Sequence, residues 1–243
     1  MFTGLPSDGF AFLRELADQQ NKPWFEANRY RYEAGVRAPL AALVESLAEV
    51  FAQGGVPLLG DAKRSLFRLH RDVRFSKDKS PYKVHAGAVM FRQGGSRQPN
   101  GVLYLHIQPR ESFAAVGFYM PEPKLLNALR TSIRNQPQAW REMAAKLASS
   151  GLKLSDGDPL TRMPRGFEAL ADADVADAIR MRSFIVSRKL TQAQLGKAEV
   201  VGMIAAFVQA GMPLLRWGWA AMDAPAEEGS RIARFLPGQR ARP

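Results

Sequence analysis

The residues best suited to chemistry in this chain lie between positions 63 and 83, where Lys63, Arg64, Arg68, Arg71, Arg74, Lys77, Lys79 and Lys83 stand against only Asp72 and Asp78. Eight cations less two anions leave +6 in 21 residues, more than half of the chain's net charge of +11. The densest string is RDVRFSKDKSPYK, residues 71–83. Arginine offers planar donor forks and lysine a movable point charge. A turn built from Ser76, Asp78, Ser80 and Pro81 can turn several backbone N–H groups toward the same oxygens. This is the chemistry of a phosphate or carboxylate site. Arg68, Arg71, Arg74, Lys77, Lys79 and Lys83 are therefore the expected ligand-binding residues, with Tyr82 orienting the ligand. The competing reading is a solvated basic face closed by local ion pairs. Asp72, between two arginines, either holds them in place or acts as a base, and His106 and Asp72 are the candidates for any proton transfer.

Other chemistries are excluded or weakly supported. Among 243 residues there is no cysteine, so disulfides, thiolate nucleophiles and zinc ribbons are out. His70 and His106 both fall on the polar side of expected strands and, with Asp72, offer three ligands at uncertain register. Two histidines are thin support, and no metal and no cofactor are expected. Ser76, Ser80 and Ser183 sit in no GxSxG elbow. Neither GxGxxG nor GxxxxGK[ST] occurs, which disfavours Rossmann and P-loop nucleotide binding. The start, MFTGLPSDGF, has no basic leader and no long apolar run, so the expectation is a cytoplasmic protein. The apolar run over residues 200–215 is short and interrupted by Gln209 and Pro213, so no membrane span is expected.

The elements that must position the basic string follow from periodicity. Phe10, Leu13 and Leu16 recur at helical spacing after Pro6, Ser7 and Asp8. Asn21, Lys22 and Pro23 then open a second helix carrying Trp24, Phe25, Asn28 and Tyr32, and Pro39 a third that ends at Gly54 and Gly55. From Ser65 the period becomes two, with Phe67, Leu69, Val73 and Phe75 on one side and Arg68, His70, Asp72 and Arg74 on the other. Further strands are expected over residues 85–92, 102–110, 113–120 and 183–190, the last with Phe184, Val186 and Arg188 sharing a side. Gly94, Gly95 and Ser96 loop between the second and third strands. Short turns favour antiparallel neighbours, so the fold class is α+β: an antiparallel β-meander packed against helices, with helical N- and C-terminal segments. Helices are expected over 125–135, 138–149 and 172–179, and a last one capped by Thr191 runs to Gly211, with Trp217 and Trp219 closing the core beyond it. The domain spans residues 1–222, with a possible C-terminal helical lobe from about 151. Residues 223–243, including Arg231, Arg234, Arg240 and Arg242, read as a flexible tail.

The strings NKPWFEANR, LHRDVRFSKDKSPYK, LYLHIQPRESFAAVGFYMPEP and MPRGFEA, in this order, resemble the bacterial and fungal family of conserved hypothetical proteins catalogued as domain of unknown function 2461. The likeness runs from about Gly4 to Met222. It carries no activity with it. It does imply that Trp24, Phe25, Asn28, Arg71, Asp72, Arg74, Phe75, Ser76, Lys77, Lys79, Pro81, Tyr82 and Lys83 are shared positions, together with His106, Gly117, Pro121, Arg165 and Gly166. Arg165 stands where the family prefers lysine in a PKG triplet. The charge is kept while the donor geometry changes, and Arg165 joins the expected ligand-binding residues.

Two functions fit these residues. The first is an anionic small molecule, bearing phosphate or carboxylate, held on a basic sheet face. The second is sequence-independent binding of an RNA or DNA backbone. Strand alternation would aim half of the charges at one shared face, which favours the first.

Overall fold

The computed structural model describes residues 1–72, 74, 77–94, 100–155 and 157–224. The expected positions Val73, Phe75 and Ser76, the loop residues Gly95 and Ser96 and the tail over 225–243 lie outside these described residues.

The first helices form where the breakers allow. Helix α1, Ser7–Asp18, buries Phe10, Phe12, Leu13 and Leu16. Asn21 caps α2, Lys22–Tyr32, by accepting from the Trp24 backbone N–H at 2.9 Å. α2 passes without a break through a π turn, Glu33–Arg37, into α3, Ala38–Gln53. The π turn lies where Gly35 meets Gly9 of α1: a Cβ on Gly9 would stand 2.0 Å from the Gly35 carbonyl oxygen, so only two glycines permit the approach. Arg31 then ties α2 to α1, donating to Asp8 at 2.9 Å and Glu15 at 2.6 Å.

The sheet has five strands among the described residues: β1, Leu58–Leu59; β2, Ala86–Arg92; β3, Val102–Ile107; β4, Phe113–Phe118; and β5, Phe184–Lys189. All neighbours are antiparallel, in the order β1-β2-β3-β4-β5. The α+β meander against helices is thus the fold. Its inner face is apolar: Ala88, Met90, Leu103, Leu105, Ile107, Ala114, Val116 and Val186 are fully buried. Helices α4, Pro123–Asn135, and α5, Pro137–Ser149, a short α6, Ala176–Arg180, and a one-turn α7, Gln192–Leu195, precede α8, Val200–Asp223. α8 meets β4 through Gly211, against Val116, and Gly218, against Phe118. These residues are seven apart, two turns on one face, where absent side chains let helix and strand approach.

Three expectations are corrected. Over the described residues 65–72 no strand of the sheet forms. Instead, 65–67 pair with 87–89 around a Leu66–Ala88 bridge, and 69–71 pair with 81–83 around a His70–Tyr82 bridge. The segment therefore bends at Arg68 as it changes partners. Alternation fails there: Leu69 is 4% exposed and Phe67 44%. Second, the last helix does not end at Gly211. Thr191 forms a capping box, but on the separate α7, and α8 continues through Pro213 with Trp217 and Trp219 in its length. Pro213 removes one helical N–H, a loss outweighed by burial of Met212, Leu214 and Leu215 around it. Third, Asp223 belongs to α8 and pairs with Arg92 of β2 at 2.7 Å. At 24 residues α8 is long and apolar enough to cross a membrane by length and composition, and half of its most apolar stretch is buried in the protein.

Candidate anion-binding site

The outer face of the meander carries Tyr104, His106 and Gln108 of β3 and the residue after it, Phe113 of β4, and His85 and Gly87 leading into β2. The register sets Gly87 and Phe113 opposite His106. His106 is stacked between His85, 4.3 Å between ring centres, and Phe113, 4.8 Å. Gln108 donates from Nε2 to Glu111 at 3.0 Å, which turns its Oε1 toward His106 Nε2, also 3.0 Å. In that orientation His106 Nε2 carries the proton and Nδ1 accepts from the Tyr104 hydroxyl at 3.1 Å. Both nitrogens of His106 are thus committed within the sheet.

The bent segment lies over this face. Phe67 covers Tyr104, ring centres 6.1 Å apart, and the Lys83 ammonium sits 5.5 Å from the Phe67 ring centre. Burial first, and then the charges of Arg68 and Arg71, push the Lys83 pKa down. His85 is pushed down to about 4 by burial, then by His106, Lys83 and Arg71, so its imidazole is neutral at pH 7. Lys83 lies across the backbone pairing from residues 69–71 and two residues before His85, so Arg68, Arg71, Lys83 and His85 are neighbours. Among the described residues, exposed Arg68 and half-buried Lys83 make no salt bridge, Arg68 acting at longer range on Asp72, and neither ring nitrogen of His85 has a hydrogen-bond partner.

The other expected site residues are placed differently. Arg71 is half-buried and also pairs with Asp78. Asp78 caps the turn by accepting from the Ser80 N–H at 2.9 Å. Arg74 is exposed and holds Asp72 through two donors at 3.0 and 2.8 Å, which lowers the Asp72 pKa and makes this carboxylate a brace. Lys77 and Lys79 are exposed. Tyr82 is 2% exposed and stacked on Phe25 at 4.5 Å, with its N–H donating to the Gln20 side chain, so it pins the segment to the helices. Arg165 is exposed in the loop before Phe167 and pairs with no residue of the cluster. His70 packs against Phe25 and Tyr82, and the histidine beside His106 is His85. No group of three potential metal ligands occurs among the described residues.

His85 is the member of the cluster that the sequence reading passed over. Its signal was the two-residue period: His85, just before β2, falls on the same side as Gly87 and Val89, which pair with His106 and Tyr104.

The conserved hypothetical protein family DUF2461 matches residues 8–217. The chain belongs to this family. No curated protein and no solved structure matches it. Of the positions the resemblance implies to be shared, Trp24, Phe25 and Tyr82 build the aromatic core beneath the bent segment, His106 lies on the outer sheet face, and Gly117 serves the sheet. Gly117 has φ +135°, and a Cβ there would stand 2.1 Å from the Phe184 carbonyl oxygen.

Proposed function

We propose that this DUF2461 protein binds a small anion, a phosphate or carboxylate group, between Arg68, Arg71 and Lys83 over the outer face of the sheet. One observation carries the reading: the half-buried Lys83 ammonium makes no salt bridge among the described residues, and of its two guanidinium neighbours only Arg71 makes one, with Asp78. Like charges brought together and partly desolvated are costly unless an anion answers them. Arg71 and Lys83 supply donors on one side. His85, neutral and with unengaged nitrogens, supplies an N–H or accepts one from a protonated ligand oxygen. His106, fixed by Tyr104 and Gln108, keeps the His85 ring in place by stacking.

Calorimetric titration with inorganic phosphate tests this. Binding to the parent protein is expected, with Lys83→Met weakening it tenfold or more and Arg165→Met leaving it unchanged. Absence of binding, or equal affinity in Lys83→Met, overturns the reading. Exposed Lys77 and Lys79 favour the nucleic-acid alternative, which predicts the opposite hierarchy: tight, steeply salt-dependent retention of a DNA duplex and little response to phosphate.

A further inference from the structure

We infer that the ligand is a planar aromatic anion of one or two rings, its ring lying in the groove between α2 and residues 62–70. This rests on the anion reading and names the ligand class, with Arg68 shared between the groove and the cluster. The groove encloses about 290 Å³, at the lower edge of the roughly 300–1,000 Å³ of small-molecule pockets, which limits its occupant to a small molecule. Phe25 and Tyr32 from α2 and Leu66, Phe67 and Leu69 from the bent segment give it an apolar, largely aromatic lining. Its charged lining is Arg29, Arg37, Lys63 and Arg68 against Glu33, four cations less one anion, or +3.

The two walls differ in how those charges are answered. On the helical wall Arg29 pairs with Glu26 and Arg37 with Glu33. On the opposite wall Lys63 and Arg68 are exposed and make no salt bridge among the described residues. Phe67 lines the groove beside Arg68 and carries the Lys83 ammonium 5.5 Å from its ring centre, so the groove adjoins the cluster. A guanidinium already stands over an aromatic ring here, Arg29 at 5.6 Å from the Phe25 centre. Rings and guanidinium groups both favour flat π-systems. An inorganic anion would leave the aromatic lining uncovered, and an uncharged ring would make no ion pair with Lys63 and Arg68. A ring bearing an anionic group satisfies both.

The test compares 1-naphthyl phosphate, inorganic phosphate and 1-naphthol by calorimetry, with methyl NMR of Leu66 and Leu69 in the unmutated protein. The expected result is naphthyl phosphate binding at least tenfold tighter than either other probe, with Leu66 and Leu69 methyl shifts that phosphate does not produce. Ala62→Trp, which fills the groove, should abolish that advantage and keep phosphate affinity. If its melting temperature falls, the methyl shifts decide alone. 1-Naphthoate distinguishes a carboxylate from a phosphate head. Phosphate binding with no gain from the ring, or a gain without methyl shifts, overturns the groove assignment and leaves the anion reading standing. Naphthyl phosphate binding that shifts the methyls but ignores Lys83→Met overturns the anion reading. No binding of any anion overturns both.

Discussion

Lys83 and His85 are two residues apart and share the same predicament, charge-bearing groups drawn under a covering segment, but they solve it differently. Lys83 rests its ammonium on the Phe67 ring, and His85 gives up its proton. The His85 pKa of about 4 lies below the ordinary 6.5, so the unfolded chain takes up this proton at higher pH than the folded one. The sign follows: the contribution of His85 is intact above about 6.5 and is lost as pH falls toward 4, by roughly 3 kcal/mol at most. Urea melts at pH 7 and pH 4 of the parent and of His85→Gln isolate it, because the carboxylates titrate alike in both. The variant is expected to lose less stability. Phosphate should raise the His85 pKa, read as an upward shift of its NMR titration. Arg130 is the opposite case, a guanidinium 7% exposed on α4, donating to the Met181 carbonyl at 2.9 Å while its Nε has no partner. No carboxylate compensates that burial among the described residues, and Arg130→Met is expected to raise stability by about 1 kcal/mol in chemical denaturation.

At the scale of elements, the close approaches are made by glycines. Gly117 admits the β5 backbone next to β4, and Gly218 admits the Phe118 ring to α8, where a Cβ would stand 2.1 Å from that ring. Gly117→Ala is strained both by its φ and by the Phe184 carbonyl, and is expected to cost about 2–4 kcal/mol, measured as a lowered urea midpoint. The helices and strands β2 to β5 were legible in the sequence because each carries its own period and its own breakers. Residues 65–75 were not. Their alternation was that of a strand, but the chain has two partners in succession, β2 for residues 65–67 and its own return over 81–83 for residues 69–71. The bend between them puts Phe67 over the sheet and Leu69 in the core. Period counting sees one element and has no way to register a change of partner. α8 misled for a related reason: local propensity says proline ends a helix, and tertiary burial on both sides of Pro213 overrules it.

For the whole molecule, the excess of +11 makes a long-range field that any polyanion feels, and on the proposed reading the cluster adds a short-range demand that only a fitting anion meets. Salt separates the two. Raising it from 50 to 200 mM should weaken retention of duplex DNA by about 10³-fold or more if several phosphates are gripped at once, and phosphate binding at a single cluster far less. Parallel titrations of both ligands read this out. The chain by its composition and periodicity determined the α+β class, the meander, the apolar inner face and the concentration of charge in 21 residues, because these depend on residue type and on spacing along the backbone. Which cations act together was decided only by the tertiary structure. Arg74 is tied to Asp72, Tyr82 goes into the core, Arg165 lies elsewhere, and Arg68, Arg71 and Lys83 join a histidine from the start of β2. The physical reason is that electrostatic partnership depends on distance through space and on what shields a group from water. Both are fixed when residues 65–71 and 81–83 fold across the sheet, and neither is written in the order of residues along the chain.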